Sequence, residues 1–283
     1  MLEVGSVIEN KYRILRTINS KGRQPCYLAY DEAGNKLYII HEFLVDKNCE
    51  LQRKSIGYYL STIKYINHPN IVPKLIDIII NDDSLYSIEE YWEGTPLSKI
   101  VEESGAQSVN YVVEWAIQLC NLLGYLHSKV PSLIFRDMNP DNVILKPDGN
   151  LMLLINFGTV ISTRKLRYTV KTCDFKFKGA KGCTAPEQYS DENSADIRTD
   201  IYGLGATLYF IATGHNPGEP NCDMYTVLYR NPAIPERLIR IIKKCTMPSP
   251  EDRYQSCDEL LCALGAKNTI SAISGKIKRQ AQK

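Results

Sequence analysis

Apolar and polar positions alternate through the first third of the chain and take up helical spacing after it. Tyr12–Ile18, Cys26–Tyr30, Leu37–Phe43, Leu75–Ile80 and Leu85–Tyr91 are rich in β-branched and aromatic residues and bounded by Gly, Asn and Asp, which predicts strands. Asp31–Asn35, ending in Gly34-Asn35, reads as a hairpin turn. One helical stretch, about Leu51–Ile66, interrupts the strands and stops before His68-Pro69. Past Gly94, Ser108 is a good N-cap for a long amphipathic helix with Val109, Val112, Val113, Ala116, Leu119, Leu123 and Leu126 on one side. Shorter apolar helices fit Ile201–Thr213, Pro235–Lys244 and Ser256–Leu264. The pattern is α+β and two-lobed: a small β-rich lobe with one helix over 1–93, then a larger, mainly helical lobe over 94–265. The tail, 266–283, carries five Lys or Arg and no acid, and reads as flexible.

Composition changes this picture little. The 283 residues are 23% charged and 44% hydrophobic, and a net charge of +2 gives no global pull toward nucleic acid or membrane. No apolar run approaches the ~20 residues of a membrane span; the candidates around Ile76–Ile80 and Leu151–Ile155 are strand-sized. Met1-Leu2-Glu3-Val4-Gly5 lacks the basic and then apolar layout of a signal peptide, so a cytoplasmic location is expected. Nine cysteines without a CxxC pair read as reduced thiols, with neither zinc nor disulfides expected.

The chemistry lies in an ordered series of short motifs. Phe135-Arg136-Asp137-Met138-Asn139-Pro140-Asp141-Asn142 sets an acid and an amide five positions apart, and Ile155-Asn156-Phe157-Gly158 follows. Tyr38-Ile39-Ile40-His41 and His68-Pro69-Asn70-Ile71-Val72 come before them; Ala185-Pro186-Glu187, Asp200–Gly205 and Pro250–Tyr254 come after. From roughly Tyr12 to Leu264 the series resembles the protein kinase superfamily, in the bacterial eukaryotic-like Ser/Thr kinase branch and in a degenerate, pseudokinase form.

The resemblance implies roles residue by residue. Asp137 matches the catalytic base and Asn142 a metal-ligating amide, while Asn156 stands where the metal-binding acid should precede Phe157-Gly158. His41 occupies the position of the strand lysine, and Tyr59 that of its helix glutamate. Asn139 replaces the catalytic-loop lysine, Ile39 the small residue over the adenine, and Glu89 the gatekeeper. Asn19, Lys21 and Gln24 fill the three glycine positions of the phosphate loop. Glu90, Tyr91 and Trp92 match the hinge. Structural parts are kept: Phe135 and Phe157 match a hydrophobic spine, Glu187 and Arg253 an ion pair, and Asp200 the anchor of the catalytic-loop backbone.

Phosphoryl transfer asks for placement and charge neutralisation. An unperturbed His41 would be only about a quarter protonated at pH 7, and magnesium needs anionic oxygens that two amides do not supply. Glu89 is expensive to bury unpaired, so a contact with His41 is expected; the alternative is a Glu89 turned to solvent or bonded to a backbone amide. Thr159–Lys181 carries seven Lys or Arg and one acid, with Tyr168, Thr169 and Thr172 as phospho-acceptor candidates. That segment is a solvated loop, a docking surface for an acidic partner or an active kinase, or a segment ordered by phosphorylation in trans with Arg136 among the phosphate's partners.

These readings imply a catalytically inactive binding or allosteric module in bacterial phospho-signalling. It would have a protein partner and neither nucleic acid, metal nor cofactor. Two alternatives stay open: a weak Ser/Thr kinase using ATP with low metal dependence, and a nucleotide sensor without transfer.

Overall fold

Strand-forming segments dominate up to Glu93 and helices from Gly94, and the chain divides there into two compact units. The structure is a computed structural model that describes residues 2–19, 25–44, 50–72, 74–81, 84–154, 160–162, 179–190, 194–220 and 222–266.

In the first unit β1 (Val7–Ile8), β2 (Tyr12–Asn19), β3 (Cys26–Asp31), β4 (Lys36–Leu44), β6 (Leu75–Ile80) and β7 (Ser84–Glu90) form an antiparallel sheet in the order β1-β2-β3-β4-β7-β6. A short β5 (Ile71–Val72) and α1 (Glu50–Tyr65) complete the unit. The turn between β3 and β4 is held by Asp31, whose Oδ1 accepts from the backbone N–H groups of Ala33 and Gly34. Alternation along each strand gives the sheet two faces. One buries Tyr12, Ile14, Tyr27, Ile40, Tyr86 and Ile88 together. The other carries Ile39 and Phe43, and α1 buries Ile56, Tyr59, Leu60 and Ile63 at helical spacing. The Phe43 and Tyr59 rings lie 6.0 Å apart. At about 1.5–3 kcal/mol for each large apolar side chain buried, this stripe explains why a helix interrupts the strands.

The second unit contains β8 (Thr95–Pro96), α2 (Leu97–Ser104), α3 (Val109–His127), β9 (Leu133–Ile134), β10 (Val143–Leu145), β11 (Leu151–Leu154) and β12 (Ile161–Ser162). After these come α4 (Glu187–Ser190), α5 (Ile197–Thr213), α6 (Met224–Arg230), α7 (Glu236–Cys245) and α8 (Cys257–Leu264). β10 pairs antiparallel with β8 and β11, and β9 pairs with β12. Ser108 caps α3 by accepting from the Tyr111 N–H, as its sequence predicts. The sequence reading starts α5 four residues late. A capping box, in which Asp196 and Thr199 satisfy each other's backbone N–H groups, opens it at Ile197. α2, α4, α6 and most of the short strands of this unit are additions to the expected elements, whereas β11 falls on the strand-sized run Leu151–Ile155. Gly203 of α5 lies so close to the Met138 carbonyl that a Cβ would sit 2.7 Å from it, so only glycine lets the loop after β9 pack there. Among the described residues no helix is long and apolar enough to cross a membrane, and the described cysteines are free thiols.

Candidate functional site

Strand register builds the first cluster. Cys26 of β3 lies opposite His41 of β4, which lies opposite Ser87 of β7; Ile39 lies opposite Glu89. Directly opposed residues share a sheet face, so these side chains converge on the face that carries α1. His41 Nδ1 is 3.1 Å from Glu89 Oε1 and 3.0 Å from Oε2, so the expected contact is present. The Ser87 hydroxyl donates to Oε1 at 2.6 Å. Glu89 is 1% exposed, and therefore does not turn to solvent.

This pairing corrects the expectation that His41 is mostly neutral. Burial disfavours the imidazolium, but the Glu89 carboxylate and a hydrogen bond with Cys26 outweigh burial and raise the pKa well above the usual histidine value. Tyr59, buried at 5% exposure, has its phenol pKa raised by burial first and then by Glu89 and Cys26. The Tyr59 position thus holds a neutral phenol beside the pair. Ile39 is buried on the same face. At the end of β7, Glu90 is exposed with Lys74 Nζ 3.5 Å away, and the partly buried Tyr91 and Trp92 follow it. On the opposite face Glu42 is also buried, taking the Tyr27 hydroxyl at 2.7 Å and the Tyr86 hydroxyl at 3.4 Å. The sequence reading missed this second carboxylate, although strict alternation from Ile40 places it inward.

The second cluster lies in the loop after β9. Asp137 accepts from Asn139 Nδ2 at Oδ1 and from Asn142 Nδ2 at Oδ2, each at 2.8 Å. The same two amide groups reach the Asp137 carbonyl, at 3.0 and 2.9 Å. Asn139 Oδ1 in turn accepts from the Asp141 and Asn142 N–H groups and caps the 3-10 turn Pro140–Asn142. Sequence reasoning treated Asn139 as a missing cation; in the structure it is a tie that stiffens the loop around Asp137.

Asp200 supports this loop from α5. Fully buried, it accepts from the Phe135 N–H at 2.8 Å, the Arg136 N–H at 2.7 Å and His127 Nε2 at 2.8 Å. Arg136 sits at φ 65°, a left-handed conformation that a non-glycine residue holds only when its surroundings impose it. Burial opposes charge on His127, but the Asp200 and Cys257 hydrogen bonds raise its pKa to about 10. Farther on, Glu187 and Arg253 form a two-point ion pair at 2.8 Å. Asn156 and Phe157, the loop positions Lys21 and Gln24, and the acceptor candidates Tyr168, Thr169 and Thr172 lie outside the described residues.

Two histidines with raised pKa values set a pH dependence. A folded-state value above the unfolded one near 6.5 gives stability that is complete below 6.5 and is lost as pH rises toward the folded value. Stability measured by urea unfolding should therefore fall from pH 6.5 to 8.5, by about 1 kcal/mol per pH unit for each histidine that remains charged. His41→Gln with His127→Gln should flatten the slope. A wild-type profile that stays level across this range would contradict the protonated pairs.

Comparison with known proteins adds relatives to this geometry. A family model described as protein kinase domain matches residues 19–274. A probable serine/threonine-protein kinase of Clostridium acetobutylicum is 28% identical over 273 residues, covering 91% of this chain and 40% of that protein. Serine/threonine-protein kinase D of Synechocystis is 29% identical over 269 residues, covering 90% and 52%. Serine/threonine-protein kinase PrkC of Bacillus subtilis is 25% identical over 272 residues, covering 91% and 40%. The chain spans about half, or less, of the length of these curated relatives.

Proposed function

Since the chain belongs to the protein kinase family, we propose that it is a catalytically inactive member, a pseudokinase, acting as a cytoplasmic binding or allosteric module in bacterial phospho-signalling. The observation that carries this reading is the pair His41–Glu89. Kinases hold the ATP phosphates with a strand cation at this position. Here the side chain is shorter, and a carboxylate 3.0 Å away already neutralises its charge.

The residues also fit Mg·ATP poorly. Magnesium is held by hard anionic oxygens, whereas Asn142 offers an amide whose NH₂ is turned onto Asp137. Asn156 would add a second neutral oxygen. Asp137 acts as a loop anchor in this reading, its two oxygens each taken by an amide. The retained positions of Asp137 and Asn142 favour the runner-up, a weak Ser/Thr kinase with low metal dependence. The expected partner is a protein: an active kinase, or an acidic surface docking on the basic stretch Thr159–Lys181.

Thermal denaturation with ATP, with and without Mg²⁺ or Mn²⁺, tests the reading. Saturation at 100 times Kd would add about 2.7 kcal/mol of stability, several degrees of Tm; no shift is expected with any metal. A shift without metal and without transfer would identify a nucleotide sensor. Radiolabelled phosphate incorporation that disappears in Asp137→Ala would overturn the proposal in favour of the weak kinase.

A further inference from the structure

The second unit holds a cavity of about 420 Å³ lined by Thr213, His215, Val227, Arg230, Asn231 and Pro232. None of the residues around His41 or Asp137 takes part in it. Its wall comes from two helix ends. Thr213 closes α5 and His215 follows the left-handed cap Gly214, while Val227 and Arg230 lie on the last turn of α6 and Asn231 caps it. The volume falls in the range of sites that receive small organic groups.

The polar groups left over in this cavity are donors. Arg230 and His215 are exposed, and among the described residues neither side chain has a hydrogen bond or ion pair. The acid that feels the Arg230 charge is Asp223, for which it is the smallest of the influences. That carboxylate is already held by the Tyr225 and Thr226 N–H groups and the Thr226 hydroxyl. Asn231 Oδ1 takes the Ala233 N–H, which leaves its NH₂ as a donor. The Thr213 hydroxyl is spent, donating to the Tyr209 carbonyl and accepting from the His215 N–H. Neither Asp nor Glu lines the cavity, and Val227 and Pro232 give it an apolar side.

A guanidinium without an ion partner, an imidazole and an amide NH₂ around one cavity call for anionic oxygens. The helix ends decide which kind. α5 and α6 both bring carboxyl-terminal ends with negative partial charge, set against one fixed cation. A carboxylate balances Arg230 and can be held by its fork at two points. A phosphate dianion would bring surplus charge toward helix ends that repel it. The last-turn carbonyls in turn accept N–H groups, which a peptide supplies.

We infer that this cavity is a docking site for an acidic segment of a partner protein, with a Glu or Asp carboxylate on Arg230 and an apolar neighbour against Val227 and Pro232. The inference is independent of whether the chain transfers phosphate.

The test is an NMR titration of the full chain with the capped peptide acetyl-Ala-Leu-Glu-Leu-Ala-amide, taken to about 10 mM, where a contact with a Kd of about 1 mM nears saturation. The Arg230 Nε–H, the His215 ring and the Val227 and Asn231 amides should shift saturably. The same peptide with Gln in place of Glu should bind roughly tenfold more weakly, and a phosphoserine version no better than the Glu version. Arg230→Gln should lose the same factor for the Glu peptide with the rest of the amide spectrum unchanged. Arg240→Gln, which alters an exposed arginine outside the cavity, should leave binding as it is. Absence of a saturable shift, equal binding of the Glu and Gln peptides, or tighter binding of the phosphoserine peptide overturns the inference.

Discussion

Arg253→Ala should destabilise the second unit by about 3–5 kcal/mol, the penalty for leaving a buried charge without its partner. All five guanidinium N–H donors are used. Nε donates to the Met247 carbonyl, NH1 to Glu187 and the Arg198 carbonyl, and NH2 to Glu187 and the Pro248 carbonyl. The side chain is 0% exposed, and its guanidinium lies 4.9 Å from the Tyr202 ring centroid. Removing it takes a donor from three backbone carbonyls and the ion partner from the Glu187 carboxylate at once. Thr199 also donates to Glu187, tying the start of α5 to the same centre. Urea unfolding followed by far-UV circular dichroism reads the effect as a lowered midpoint. Arg253→Met with Glu187→Gln, which removes both charges, should recover a good part of the loss. A single-variant loss below about 1 kcal/mol would mean that the pair behaves like a surface one.

The second large effect is expected for Asp200→Asn, with a loss of about 3 kcal/mol. Three donors converge on this carboxylate: the Phe135 N–H, the Arg136 N–H and His127 Nε2. An asparagine has one acceptor oxygen, so its NH₂ must face at least one of those donors. His127 would lose its counter-charge as well. The distinguishing readout is therefore the pH profile: the slope between pH 6.5 and 8.5 should fall by about one proton. Hydrogen exchange at Phe135 and Arg136 should accelerate, because Arg136 at φ 65° loses the contact that holds its strained backbone. A variant with wild-type slope and wild-type exchange would show that Asp200 does not anchor this loop.

Much of the fold is legible in the residues. The strand alternation of Cys26–Tyr30 and Leu37–Phe43, the Ser108 cap and the apolar stripe of α3 are local signals, and local physics reads them. Elements of a few residues, such as α4 and β12, carry too little pattern and form because the rest of the unit pairs or packs with them. The start of α5 was missed because Asp196 and Thr199 form the cap within a polar stretch that precedes the apolar repeat.

The candidate site divides in the same way. Residue types alone suggest the series Asp137, Asn142, Glu187, Asp200 and Arg253, and carry the expectation that His41, Tyr59, Asn139 and Asn156 depart from what phosphate chemistry asks. They also suggest the meeting of His41 with Glu89, because β4 and β7 can pair as neighbours. The charge state of His41 does not follow from its identity. It depends on a carboxylate 48 positions away, brought within 3.1 Å and shielded from water. Cys26 beside that ring and Asn139 across Asp137 likewise depend on register and loop closure. Sequence by itself thus determined the elements, the family and which chemical groups are present, since these rest on local periodicity and residue type. Only the tertiary structure decided which of those groups meet out of water, and a charge takes its strength from the neighbours that replace its solvent.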